Sequence, residues 1–316
     1  MGIRVLKGGM MTTVQDLGRT GYQSQGFSVS GVMDVRSFKI ANLLLDNPEN
    51  EAVLEFTLIG PTLEFTSETI IAITGGDFRP QINGKPAKMY TAIYMHRGDI
   101  LTFGGARTGT RGYIAFSSYL DVPVVMGSRS TNIKCQIGGF KGRKLEDEDY
   151  IAFRAKRRYL PYYLSRSLDL DEFDQEKITL RVVMGPQEKM FTKEGRETFL
   201  NSEYTVTSEF DRMGCRLEGP FIAYKTTSDI ISDGIAFGSV QVPSHGKPII
   251  LLADRQTTGG YAKIATVVSV DIPKLVQRKT EQKVRFQAVS VEEAQKLLAD
   301  EMKELNEILL RSEEHT

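Results

Sequence analysis

Tryptophan is absent, cysteine occurs twice and histidine three times in 316 residues, and each shortage removes a class of chemistry. Cys135 and Cys215 lie far apart, with no CxxC and no metal-ligand spacing around either. Neither a disulfide framework nor a thiolate metal site is expected, and a reducing, cytoplasmic setting fits two buried thiols. His96, His245 and His315 lack a second soft ligand at helix or turn spacing, so no metal site is expected. A histidine-based triad would have to be built on His96 or His245, since His315 lies in a polar tail. No charge of one sign prevails: forty basic and forty acidic residues cancel, and the electrostatic footprint that nucleic acid needs is missing. The longest apolar runs, such as Ile249 to Ala253, fall far short of the ~20 residues of a transmembrane helix. The amino terminus reads as a strand rather than a signal peptide. The patterns GxxxxGK[ST], HExxH and GxSxG are also missing, so the chain announces no self-contained nucleotidase, zinc peptidase or serine hydrolase.

What is present is β-forming sequence. Short runs rich in Val, Ile, Thr, Phe and Tyr, such as Ala52 to Leu58, Thr69 to Thr74, Gly112 to Phe116, Thr179 to Met184 and Ala265 to Val270, are broken by glycine every eight to twelve residues or so, the rhythm of an all-β sandwich or barrel. Asn83-Gly84 favours a two-residue hairpin turn, because both positions accept positive φ, and His245-Gly246 is a similar candidate. Two helices interrupt the pattern. Asp34 is placed to cap one that carries Phe38, Ala41, Leu44 and Leu45 on one side and ends before Pro48. Ser290 and Glu293 form a capping box ahead of Ala294, Leu297, Leu298, Met302, Leu305 and Leu309, a stripe expected to dock on its own domain. The chain is therefore expected to be mainly β, with a β-barrel domain over 1–116, a connector with long loops over 117–177, and a second β-barrel domain with the terminal helix over 178–316. The basic run Lys156 to Arg158 in the connector reads as a solvated edge. A weak echo between LEFTLIGP at 54–61 and CRLEGP at 215–220, and between INGKP at 82–86 and SHGKP at 244–248, suggests duplication of the barrel.

Chemistry is expected where polar side chains sit in glycine-rich turns. The first such place is TTVQDLGRTGYQSQG at 12–26 with SGVMD at 30–34. Gln15, Asp16 and Arg19 put an amide, a carboxylate and a guanidinium within five residues, and Ser30 and Asp34 precede the first helix. Arg19 is suited to hold a carboxylate or phosphate bidentately, or it pairs with Asp16 to fix the loop. The second place is DRMGCRLEGP at 211–220, where Asp211 and Arg212 form either a turn ion pair or a binding site. The third is GSVQVPSHGKPIILLADRQTTGGYAKI at 238–264, in which an apolar strand releases Arg255, Gln256 and Thr257 into a turn ahead of Gly259 and Tyr261.

These segments, with AVLEFTLIGPTLEF at 52–65 and RVVMGPQ at 181–187, resemble the family of the KipI antagonist and the 5-oxoprolinase C subunit, in order and over nearly the whole chain. That resemblance implies two cyclophilin-like β-barrel domains and a heteromer with the A and KipI-like B subunits of 5-oxoprolinase. It implies hydrolysis of the 5-oxoproline lactam to glutamate at the expense of ATP, with Mg. The family also embraces the carboxyltransferase part of urea carboxylase, formerly called allophanate hydrolase subunit 2, and a regulator that antagonises an inhibitor of a histidine kinase. Relatives that carboxylate urea tend to have DGPSLGG where this chain has DRQTTGG, so the resemblance points to the oxoprolinase branch. Lys88, in PAKMY, lacks the Met that precedes a biotinylated lysine, so biotin is not expected on this chain. For such chemistry Asp16, Arg19 and Arg255 are the catalytic candidates: the arginines would stabilise anions and Asp16 would handle a metal or proton. Gln15, Gln256 and Thr257 would orient an amide or lactam substrate, with Ser30, Asp34, Arg212, Gln241, Gly259 and Tyr261 as further binding candidates.

Overall fold

Strands whose two faces are both covered should be apolar throughout rather than alternating, and the sequences TIIAITG and RGYIAF behave this way. Thr69–Gly75 and Arg111–Phe116 are buried at every position. In the computed structural model, which describes all residues except 157–159, 161, 162, 171, 172, 315 and 316 and the side chains of 308–314, the chain divides into two compact units. Arg157, Arg158 and His315 and the side chain of Leu309 thus lie outside the described residues.

The first unit comprises Met1–Thr20, Ser30–Asp174 and Lys303–Thr316. Its five-stranded sheet runs Met11–Gln15, Val53–Thr57, Arg111–Phe116, Thr69–Gly75, Ala92–Met95, and its six-stranded sheet is centred on Gly2–Lys7 and Thr62–Phe65. One core lies between the sheets: Leu54, Phe56, Ile71, Ile73, Ile114 and Phe116 meet Ile3, Val5, Leu63 and Phe65. The alternate residues Val53, Ile70, Ala72, Tyr113 and Ala115 face the other way, onto Phe38, Ala41 and Leu44 of helix α1 (Val35–Leu44). The period of two along these strands therefore builds two cores at once. The segment expected as a connector belongs to this unit through Asp174, because Tyr150–Ala152 adds to the edge of the six-stranded sheet beside Gly2–Arg4. Asn83 and Gly84 make the expected tight turn, with φ of 52° and 76°.

The second unit comprises Gly21–Val29 and Gln175–Met302. Seven strands close into a barrel in the order Lys177–Met184, Lys263–Val267, Ser239–Gln241, Ile249–Leu251, Gly214–Glu218, Tyr204–Phe210, Lys283–Ala288, the last pairing in parallel with the first. Helices α2 (Lys193–Asn201) and α3 (Ile272–Val276) belong to it. A separate two-stranded ribbon, Asp229–Gly234 with Thr258–Tyr261, carries the DRQTTGG turn. Helix α4 (Val291–Glu314) starts with the expected capping box: Ser290 Oγ accepts from Glu293 N and Glu293 Oε2 from Ser290 N. Its stripe, however, is not docked along its length. Leu298 and Met302 are exposed, and Leu305 alone among the described stripe residues is buried, in the core around α1. Arg36 of α1 pairs with Glu304 beside it at 2.8 Å. Among the described residues no helix is long and apolar enough to cross a membrane.

Candidate functional site

Each unit carries its own share of the candidate residues: Gln15, Asp16, Arg19, Ser30 and Asp34 fall in the first, and Arg212, Gln241, Arg255, Gln256, Thr257, Gly259 and Tyr261 in the second.

In the first unit they form a buried polar knot. Asp16 sits just past the strand Met11–Gln15 and is almost wholly buried. Its Oδ1 accepts from Gly18 N (2.8 Å) and from the hydroxyls of Ser128 and Ser130 (both 2.6 Å), and its Oδ2 from Arg129 N (2.6 Å). A carboxylate surrounded by four donors has its charge fully solvated by protein. Arg19, with Arg278 among the largest fully buried side chains described, donates from Nη2 to the Ser130 carbonyl. Asp16 and Arg19 thus both converge on Ser130. Gln15 Nε2 reaches Thr13 Oγ1 (3.0 Å) and the Thr131 carbonyl (3.1 Å), and Ser30 Oγ accepts from Asn132 Nδ2 (3.0 Å). Gly138 closes the knot: a Cβ there would lie 2.5 Å from Arg19 Nη2 and still nearer to the Ser130 carbonyl, so no other residue fits. Asp34 is committed to α1, accepting from Ser37 N (2.9 Å) and Ser37 Oγ (2.7 Å). The Tyr113 hydroxyl donates to Glu55 (2.9 Å) and accepts from Asp34 N (2.8 Å). Burial first, and then the charges of Glu55 and Asp34, push that phenol well above its ordinary value, so it stays protonated.

In the second unit the candidates divide. Arg212 is paired with Asp254, Nε to Oδ2 at 2.9 Å, while Asp211 accepts from Met213 N (2.7 Å) and Gly214 N (3.1 Å) to shape the turn. Arg212 and Asp211 therefore do different jobs: one holds the end of a neighbouring strand, the other caps its own loop. Arg255 is buried and donates to the carbonyls of Ile235 (3.1 Å) and Leu252 (3.2 Å), with its guanidinium 5.6 Å from the Phe237 ring centre. Burial lowers its pKa from the ordinary arginine value. Its own carbonyl accepts from Ser28 Oγ at 2.7 Å, which ties the segment 21–29 to the DRQTTGG turn. The Thr257 carbonyl accepts from Ile235 N, so this residue too belongs to the frame.

Gln241, Gln256 and Tyr261 instead line a cleft of about 500 Å³, together with Met213, Ile249 and Leu251 as apolar wall and Glu209, Asp211 and Arg216 as charged groups. Gln241 Nε2 donates to the Tyr261 carbonyl at 3.3 Å. Behind the ribbon lies Lys263, 3 % exposed, whose Nζ holds Asp233 Oδ2 (2.7 Å) and the Gly234 carbonyl (2.8 Å). Gln187 completes this clamp, accepting from Lys263 N and donating to Asp233, both at 3.2 Å. The ion pair draws the Asp233 carboxyl below its usual range. Among the described residues no three His, Cys, Asp or Glu converge as a group that could hold a metal.

A family model of the carboxyltransferase domain, subdomains A and B, matches residues 25–288. The chain belongs to that carboxyltransferase-domain family. It is 33% identical over 316 residues to the 5-oxoprolinase C subunit of Escherichia coli (strain K12), covering 98% of each chain, and 34% identical over 285 residues to the 5-oxoprolinase C subunit of Haemophilus influenzae, covering 90% of each. The resemblance to the 5-oxoprolinase C-subunit family is thereby established. Among solved structures, the urea amidolyase of K. lactis superposes with a TM-score of 0.90 at 28% identity, over 97% of this chain and 20% of that one. The chain thus spans about a fifth of that larger protein.

Some residues of this carboxyltransferase domain escaped sequence reasoning. Ser128, Ser130, Thr131 and Asn132 supply half of the knot yet lie in the stretch expected as a connector. The available signal was SRSTN followed by Gly138-Gly139, a polar run and a glycine pair like those that marked the chosen segments. Lys263 was hidden by strand alternation, since a cation at an inward position looks like a surface residue until its partner is known.

Proposed function

We propose that the chain acts as the C subunit of an ATP-dependent 5-oxoprolinase, opening the lactam of 5-oxoproline to glutamate in the cytoplasm, together with the A and KipI-like B subunits. The observation that carries this reading is end-to-end correspondence: relatives of the same length bear that name, and the match covers 98% of both chains. The chemistry of the cleft agrees, because the amides of Gln241 and Gln256 offer both a donor and an acceptor to an amide-bearing ligand. The sequence carries no GxxxxGK[ST] loop, and among the described residues no group of His, Cys, Asp or Glu converges as a metal site. In this reading nucleotide activation falls to the complex as a whole, and biotin is not expected on this chain because Lys88 in PAKMY lacks the preceding Met. Asp16 and Arg19 support the reading as the hydrogen-bonded knot of the first unit, and Arg255 as the buried cation of the DRQTTGG turn.

The family match to a carboxyltransferase domain favours a second reading, transfer of a carboxyl group to urea or another amide. One assay separates the two. ATP-dependent release of glutamate from 5-oxoproline is measured with the cognate A and B subunits, with and without this chain. Release only when the chain is present supports the oxoprolinase reading. Equal release in its absence overturns it, and carboxylation of an amide in the complete mixture without ring opening favours the second.

A further inference from the structure

We propose that Gln241 is the specificity-determining residue of a ligand subsite in the second unit, where its carbonyl oxygen accepts the N–H of a compact amide and discriminates against the isosteric ester. The inference rests on the amide-opening reading above and deepens it to one hydrogen bond.

Gln241 ends the barrel strand Ser239–Gln241 and lines the cleft while only 2 % exposed. Its Nε2 donates to the Tyr261 carbonyl at 3.3 Å. A carbonyl can only accept, so the amide nitrogen must face Tyr261 and Oε1 must face the other way. No described residue donates to Oε1, and Oε1 is not among the side-chain atoms sealed from solvent without a partner. It therefore keeps contact with solvent, on a side chain that lines the cleft. A nearly buried acceptor in such a place is satisfied by water when the cleft is empty and is stranded by any occupant that cannot donate.

The surroundings fix this acceptor in place. A Cβ on Gly259 would lie 2.8 Å from Gln241 Nε2 and 2.7 Å from Ile235 Cδ1, so the missing side chain is what leaves Gln241 its position. The same Cβ would lie 3.6 Å from Gln256 Nε2, which brings the second amide to the same side. Ile249, Leu251 and Met213 offer apolar wall to ring carbons. The charged groups select little: Glu209 and Arg216 pair with each other at 3.0 Å, and Asp211 Oδ1 is taken by two backbone N–H groups. Discrimination thus falls to hydrogen bonding rather than to net charge.

The test uses the full chain and two probes of one shape, 2-pyrrolidone, which carries the ring N–H, and γ-butyrolactone, which has oxygen in its place. Titration followed by NMR of the ¹⁵N-labelled chain should show the lactam binding about tenfold or more tighter than the lactone, the difference an unmet acceptor makes. The side-chain amide resonance of Gln241 should move with the lactam, and Gln241→Leu should remove the preference. Equal affinity for the two probes, a silent Gln241 resonance at lactam saturation, or binding of neither would overturn the proposal. The first two readouts need no variant and stand if Gln241→Leu fails to fold. The two levels of the reading fail separately. Glutamate release without the chain sinks the oxoprolinase assignment, whereas a required chain whose Gln241→Leu form keeps an unchanged KM for the lactam sinks the subsite alone.

Discussion

Asp16 holds four donors, so its removal harms the fold more than an exposed carboxylate would. Asp16→Ala would leave two backbone N–H groups and two hydroxyls inside the first unit without their acceptor. A loss of about 3 kcal/mol is expected, read as faster hydrogen exchange in the strands Met11–Gln15 and Val53–Thr57. Asp271, fully buried in the second unit, shows the same logic through pH. Burial raises its pKa, but Arg181 (Nε at 2.8 Å), Lys274 (2.7 Å) and the Arg181 backbone N–H outweigh burial and hold the carboxyl below its ordinary value. A depressed folded value means that the stabilisation is complete above the unfolded carboxylate pKa of ~3.9 and disappears as pH falls through the lower folded one. Barrel stability in urea should therefore fall more steeply with acid in the parent chain than in Asp271→Asn. The variant itself should be weaker at neutral pH by about 3 kcal/mol, since Arg181 loses its partner.

The ribbon Asp229–Gly234 with Thr258–Tyr261 is the element through which Tyr261 reaches the cleft. It adds no strand to the barrel, and Ile231 within it is 95 % exposed, so packing alone holds it poorly. Lys263 supplies the missing restraint by fastening Asp233 and Gly234 to the barrel strand Lys263–Val267. Lys263→Met keeps the length of the side chain and removes the clamp. Exchange of the ribbon amides should then quicken by about tenfold or more while the barrel strands keep their protection, in keeping with local opening of a weakly packed element. Unchanged ribbon exchange would show that the strand pairing suffices. In the first unit, Leu305 is the buried apolar contact of α4 among the described residues. Leu305→Ala should cost that unit about 2–3 kcal/mol, measured as lost protection in α1. Leu298→Ala, at an exposed position, should cost almost nothing.

Division of the chain into two compact units makes the molecule's stability a pair of quantities rather than one. Substitutions at Asp16 and Leu305 should move the unfolding of the first unit, and those at Asp271 and Lys263 that of the second, so unit-resolved exchange is the measurement to make. The division also sorts the candidate residues: of the three side chains expected to act in catalysis, Asp16 and Arg19 lie in the first unit and Arg255 in the second, each buried and hydrogen-bonded. Asp16 and Arg19 organise a loop around Ser130, and Arg255 is held by carbonyls.

Sequence alone determined what local chemistry decides. The β rhythm, the Asp34 cap, the Asn83-Gly84 turn and the Ser290–Glu293 box follow from propensity and hydrogen bonding between neighbours, and all are present. The ordered motifs likewise named the family. Tertiary structure decided what depends on residues distant in the chain. Asp16 and Ser130, or Lys263 and Asp233, meet only when sheets and barrel close, and no local pattern records that meeting. Burial then converted charged side chains from apparent surface groups into internal ties, because a desolvated charge must find partners wherever the fold supplies them. The same closure placed the nearly buried amide of Gln241 on the wall of the cleft.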